Sequence, residues 1–127
     1  MLSVLRIVSA LVFITFGTMK LLNYPPLPQG MPPIPLVSQA GLAGVLETVG
    51  GLLLLIGIFT RQVSFVLSGE MAVAYFQTHY PLSFWPTTNM GAPAILYCWM
   101  FLYFVFAGAG TWSVDAMIAR KKGGNPY

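Results

Sequence analysis

The chain has 127 residues, of which 57% are hydrophobic and only 7% charged, against about 25% charged in an ordinary soluble domain. So few charges cannot cover a water-facing surface, and a mean hydropathy of +0.76 excludes disorder. The net charge of +3 does not describe a basic nucleic-acid-binding face, because half of the cationic residues are Arg120, Lys121 and Lys122, close to the C-terminus.

Taken in chain order, four apolar blocks come close to the roughly 20 residues that a transmembrane helix needs. The first covers residues 2–22. Its charged start is thin (Arg6 alone), its apolar run is long and no small-x-small site follows, so it is expected to be a retained helix and not a signal peptide. Six of the ten prolines then crowd into residues 25–35, a stretch that cannot be helical. The second block covers 36–59, the third 62–80 and the fourth 93–110. Pro81 follows the third block and Pro93 opens the fourth, where a missing N–H costs nothing. A pair of glycines, Gly108 and Gly110, breaks the chain before a fresh start with Ser113 as N-cap and Asp115 in the first turn. Residues 113–122 are expected to form a short amphipathic tail at the membrane interface. The expectation is one domain over 1–127: an all-α, four-helix transmembrane bundle with small crossing angles, near about +20°.

Arg6, Arg61 and the basic tail fall on one side of such a bundle, and Lys20 alone on the other. The excess of cations predicts both termini in the cytoplasm of a bacterial inner-membrane protein. The two outer loops hold no charge and are rich in proline and aromatics.

Charged side chains are costly inside a bilayer, and those retained there face the bundle interior. Glu47 lies near the middle of the second block, on a face shared with Ala40, Gly44 and Gly51, opposite Leu42, Val45, Leu52 and Ile56. Small residues admit a neighbouring helix, so Glu47 is expected to point at one. Glu70 lies in the third block, with Gln77 on its face seven residues on. Arg6, Ser9, Phe13, Gly17 and Lys20 form a stripe on the first block. Helical rise places Arg6 near the depth of Glu70, and Lys20 about two turns from Glu47, a gap that a long side chain can shorten. Lys20, Glu47, Arg6, Glu70 and Gln77 are thus candidates for an intramembrane polar site. Two readings stay open: ion pairs that set helix register, or a proton- or ligand-handling site.

His79, the single histidine, sits beside Tyr80 and near Trp85 and Asn89 at the outer end, where the four could line a quinone pocket or anchor the interface. Haem is disfavoured: one histidine cannot supply both axial ligands, and Met71, Met90 and Met100 read as packing. Cys98, the lone cysteine, behaves as a small hydrophobe. No Walker loop, Rossmann fingerprint, catalytic triad or zinc spacing occurs.

Several short elements together resemble the DoxX family of small bacterial four-helix membrane proteins, from about Phe13 to Asp115. They are Phe13-Ile-Thr-Phe-Gly-Thr-Met-Lys-Leu, Glu47-Thr-Val-Gly-Gly-Leu-Leu-Leu-Leu-Ile-Gly, Thr60-Arg61, Met71-Ala-Val-Ala, Asn89-Met-Gly and Gly110-Thr-Trp-Ser-Val-Asp. Family members often carry a glutamate after the Asn-x-Gly element, where this chain has Ala92, so the resemblance supplies no acid in the outer loop. It implies a membrane protein tied to oxidoreduction, similar to small subunits of quinone-linked oxidoreductases or to partners of thiol and superoxide handling. It brings no catalytic residue set. The functional expectation is a lipid-embedded subunit of, or partner to, a quinone- or thiol-linked redox system, within a larger complex or a homo-oligomer. The alternatives are a non-catalytic accessory subunit and, behind it, a small-solute or ion transporter, for which four helices without repeats leave little room.

Overall fold

A computed structural model describes residues 1–124; residues 125–127, and with them the end of the expected domain, lie outside the described residues. The first apolar block forms one uninterrupted helix, α1 (Leu2–Leu22), which stops where Asn23 turns left-handed. Ser38 accepts a hydrogen bond from the Gly41 amide and starts α2 (Gln39–Ile56) three residues later than the hydropathy suggests. Gly57, with φ 72, ends it.

α3 (Thr60–Ala74) begins two residues early because its first amides find an acceptor. The Asp115 carboxylate accepts from the Phe59 and Thr60 N–H groups, each at 2.9 Å. Phe59 is left-handed (φ 49), an uncommon conformation for a bulky residue, and this carboxylate holds it there. α3 continues as a π-helical turn over Tyr75–His79, where the Tyr80 amide reaches back to the Tyr75 carbonyl.

α4 (Ala92–Ala107) ends three residues short of the expected boundary. Gly108 turns the chain with φ 81, and the Arg61 guanidinium caps the Val105 and Phe106 carbonyls at 2.6 and 2.7 Å. α5 (Val114–Lys121) follows, capped by Ser113. All elements among the described residues are helical. α1 and α2 are long and apolar enough to cross a membrane. The sixteen residues of α4 rise about 24 Å, below the ~30 Å hydrocarbon core.

α1 packs most closely on α2, and α3 on α4, so two antiparallel hairpins stand side by side. The hairpins meet through a core of Phe13, Leu54, Leu67, Phe101 and Phe104, all at most 1% exposed. Phe13 lies edge-on to Phe101 with centroids 4.8 Å apart. On α2, Leu42, Val45, Leu52 and Ile56 face outward, while Gly44, Glu47 and Gly51 are buried. Ala40 departs from the expected small-residue face and is exposed; Gly41 is buried in its place, against the Leu36 carbonyl. One end of the bundle gathers the start of α1, the α2–α3 corner, the end of α4 and α5. There the Trp112 amide donates to Ser3 Oγ, and Asp115 N donates to the Gly57 carbonyl.

Candidate functional site

The closest approach of α1 and α2 builds the site. A Cβ on Gly17 would stand 2.6 Å from the Thr48 backbone nitrogen, and one on Gly44 would stand 3.0 Å from Lys20 Cβ. Glycine at both positions lets the helices touch, which brings the two ends of the depth gap within side-chain reach. Lys20 Nζ donates to Glu47 Oε1 at 2.7 Å. The Glu47 side chain is 3% exposed and that of Lys20 is 23% exposed.

Glu70 completes the centre from α3. Glu47 and Glu70 stand equally far along the chain from the corner at Ile58 and Phe59, so antiparallel helices put both about 16 Å above it. Glu47 and Lys20 are the charges that act on Glu70. Both Glu70 carboxyl oxygens and Glu47 Oε2 are buried and find no hydrogen-bond partner among the described residues. One ammonium, paired with Glu47, thus lies within Coulombic reach of two carboxyl groups. Fully ionised, the centre carries one negative charge in excess, and a single added positive charge makes it neutral.

Arg6 does not meet Glu70. It lies at the level of the corner, completely buried, where its Nη2 donates to the Trp112 carbonyl at 2.7 Å and Asp115 is its opposing charge. With the third block starting at residue 62, the expected pairing put Glu70 about two turns into the helix. An early start to that helix and a tight corner lift it to nearly three turns, away from Arg6. Gly57 makes room for the guanidinium: a Cβ there would fall 1.9 Å from Arg6 Nη1.

Gln77 also leaves the interior. The π-helical turn shifts the phase of α3 after Ala74, and Gln77 bonds Gln39 at the exposed start of α2. At the outer end, His79 Nδ1 bonds the Asn89 carbonyl at 3.0 Å. The Asn89 side chain donates to the Ser83 carbonyl, contacts the Tyr75 hydroxyl and accepts from the Gly91 amide. These bonds hold the loop between α3 and α4. Tyr80 and Trp85 point their rings outward, 46% and 65% exposed. Of that expected group, His79 meets Asn89 through its ring, and Trp85 meets Asn89 through backbone alone, its carbonyl accepting from the Asn89 amide at 3.0 Å. Ser68 Oγ donates to the Cys98 carbonyl and lies 3.5 Å from its sulfur.

Asp115 is the residue whose importance sequence reasoning underrated, giving it only the first turn of the tail. The available signal was its scarcity, since it is one of just three acids in the chain.

All-helical among its described residues, with two helices able to span a bilayer and a lysine–carboxyl centre buried against them, the protein fits the class of small membrane proteins. The chain belongs to the DoxX family, whose model matches residues 1–80. That stretch contains α1, α2, α3 and all three residues of the centre. It is also similar to an uncharacterized protein of Haemophilus influenzae, at 45% identity over 134 residues covering 94% of this chain and 92% of the relative. No solved structure matches.

Proposed function

We propose that the protein is a four-span bundle of the bacterial inner membrane, with both termini in the cytoplasm, whose Lys20–Glu47–Glu70 centre binds and releases a proton. The observation that carries this reading is the set of three buried, unpartnered carboxyl oxygens around one ammonium. Intramembrane acids of this kind mark proton and ion pathways. A proton is the smallest charge that balances the centre, and a carboxyl group accepts it without rearranging the helices. Arg6, Arg61 and the basic tail at one end of the bundle support the orientation.

The proton-binding centre serves a membrane redox partner, quinone- or thiol-linked, in keeping with the oxidoreduction that the family resemblance implies. Quinone reduction consumes protons within the membrane, and a carboxyl centre supplies them. The protein works in a larger complex or a homo-oligomer.

Infrared difference spectroscopy on the purified protein tests the centre. A protonated-carboxyl band is expected, and Glu70→Gln or Glu47→Gln should remove or shift it. Absence of such a band across the accessible pH range would reject proton binding. Co-purification in mild detergent tests the redox role; partners without quinone or thiol chemistry would remove it.

A second reading rests on the helix contact itself. Lys20 and Glu47 bridge the same two helices that Gly17 and Gly44 bring together, so the pair also sets their register in an accessory, non-catalytic subunit. Glu47→Gln separates the two readings. Activity of the assembled system lost at unchanged stability favours the proton site; activity lost in step with stability favours the clamp.

A further inference from the structure

Polar groups in the bundle concentrate in two zones, with the buried hydroxyls of Ser9, Ser64 and Ser68 on the helices between them. The lower zone holds Arg6 and Thr60, and the upper holds Lys20, Glu47 and Glu70. Between them Phe13, Leu54, Leu67 and Phe101, one from each of the four long helices, close the interior at 1% exposure or less. Phe13 is seven residues from Arg6 and seven from Lys20, about 10 Å each way. Leu54 is likewise about 10 Å below Glu47, and Leu67 stands one turn below Glu70. The layer is tight, with the Phe13 ring 4.8 Å from Phe101 and 5.1 Å from Tyr97. Ions crossing it would lose most of their hydration, because only uncharged serine hydroxyls, Ser64 and Ser68, stand beside the layer.

The upper zone is not closed in the same way. Lys20 lies in the last turn of α1, two residues before the helix ends, and its side chain is 23% exposed where Glu47 is 3%. A lysine in that position extends toward the nearer interface.

We propose that the Lys20–Glu47–Glu70 centre draws the proton it binds from the outer aqueous phase alone, past Lys20, and that the Phe13–Leu54–Leu67–Phe101 layer seals it from the cytoplasm. This rests on the proton-binding reading and on the orientation given with it. The proton passes from outer water to a carboxyl oxygen of Glu47 or Glu70 and returns by the same route.

The chain carries a built-in test, because Lys20 and the pair Lys121 and Lys122 are its only lysines. Right-side-out and inverted membrane vesicles are treated with sulfosuccinimidyl acetate, which does not cross membranes, and acetylation is read by peptide mass spectrometry. Lys20 should react in right-side-out vesicles and Lys121 with Lys122 in inverted ones. Glu47→Gln, which frees the ammonium, should speed the Lys20 reaction several-fold from the outer face while leaving Lys20 unreactive from the face that bears Lys121 and Lys122. Acetylation of Lys20 in the same vesicles as Lys121 and Lys122, or in neither kind of vesicle in the wild type and Glu47→Gln alike, overturns the proposal. If Lys121 and Lys122 react in right-side-out vesicles and Lys20 in inverted ones, the orientation fails; if the infrared band is absent, proton binding fails. Each result is distinct from the failure of the seal.

Discussion

Glu47 shows how much a single buried charge depends on its surroundings. Its carboxylate is nearly inaccessible and has one cationic partner, Lys20 at 2.7 Å. Removing one member of a buried pair leaves an uncompensated charge, at a cost of about 3 kcal/mol, whereas replacing both with apolar residues of similar volume is tolerated far better. Lys20→Met or Glu47→Leu alone should therefore destabilise the protein by that order, and the double variant should recover most of the loss. Thermal unfolding in detergent reads the difference, and strictly additive losses would contradict direct coupling. Arg6 gives the opposite case. With Glu70 in a different zone, the effects of Arg6→Leu and Glu70→Leu should add to within about 0.5 kcal/mol. Arg6→Leu combined with Asp115→Ala should fall short of the sum, because these two charges act on each other.

At the scale of helices, the protein depends on a few contacts that admit no extra atom. A Cβ on Gly17 would meet the Thr48 backbone nitrogen at 2.6 Å and the Gly44 carbonyl at 2.9 Å, and backbone cannot swing aside. Gly17→Ala should force α1 from α2, cost about 1–3 kcal/mol and weaken the Lys20–Glu47 pair. Gly69 is its control: nothing stands within 4 Å of an added Cβ, so Gly69→Ala should be neutral or stabilise by up to about 1 kcal/mol. Unfolding of the two alanine variants side by side checks this. The Asp115 carboxylate joins two elements by capping α3 from the start of α5. Asp115→Ala should cost about 1–2 kcal/mol and free α5 from the corner. Faster amide hydrogen exchange in Phe59, Thr60 and α5 would register it; unchanged exchange there would show that the cap holds nothing.

Over the whole molecule, charge is distributed by end. Arg61 caps the end of α4, Arg6 is tied to Trp112 beside it, and the basic residues of α5 lie at the same end, whereas Lys20 is near the other. A reporter fused after residue 127 should therefore behave as cytoplasmic. One inserted at Gly30, a loop glycine with open space around it, should behave as periplasmic. A periplasmic signal from the C-terminal fusion would require an odd number of spans and reject the four-span reading.

Local properties of the chain were readable without a structure. Prolines and glycines bounded the helices to within a few residues, as at the proline run after Leu22, at Pro93 and at Gly108, because their backbone effects need no distant partner. The outward faces of α2 followed from helical period alone. What the tertiary structure decided is which charges meet. Pairing depends on the register between helices, and that register comes from the Gly17–Thr48 contact, the length of the α2–α3 corner and the cap that Asp115 places on α3. None of these appears in the periodicity of a single helix. For that reason Glu70 stands with Glu47 and Lys20 and not with Arg6, and one π-helical turn is enough to carry Gln77 out of the interior.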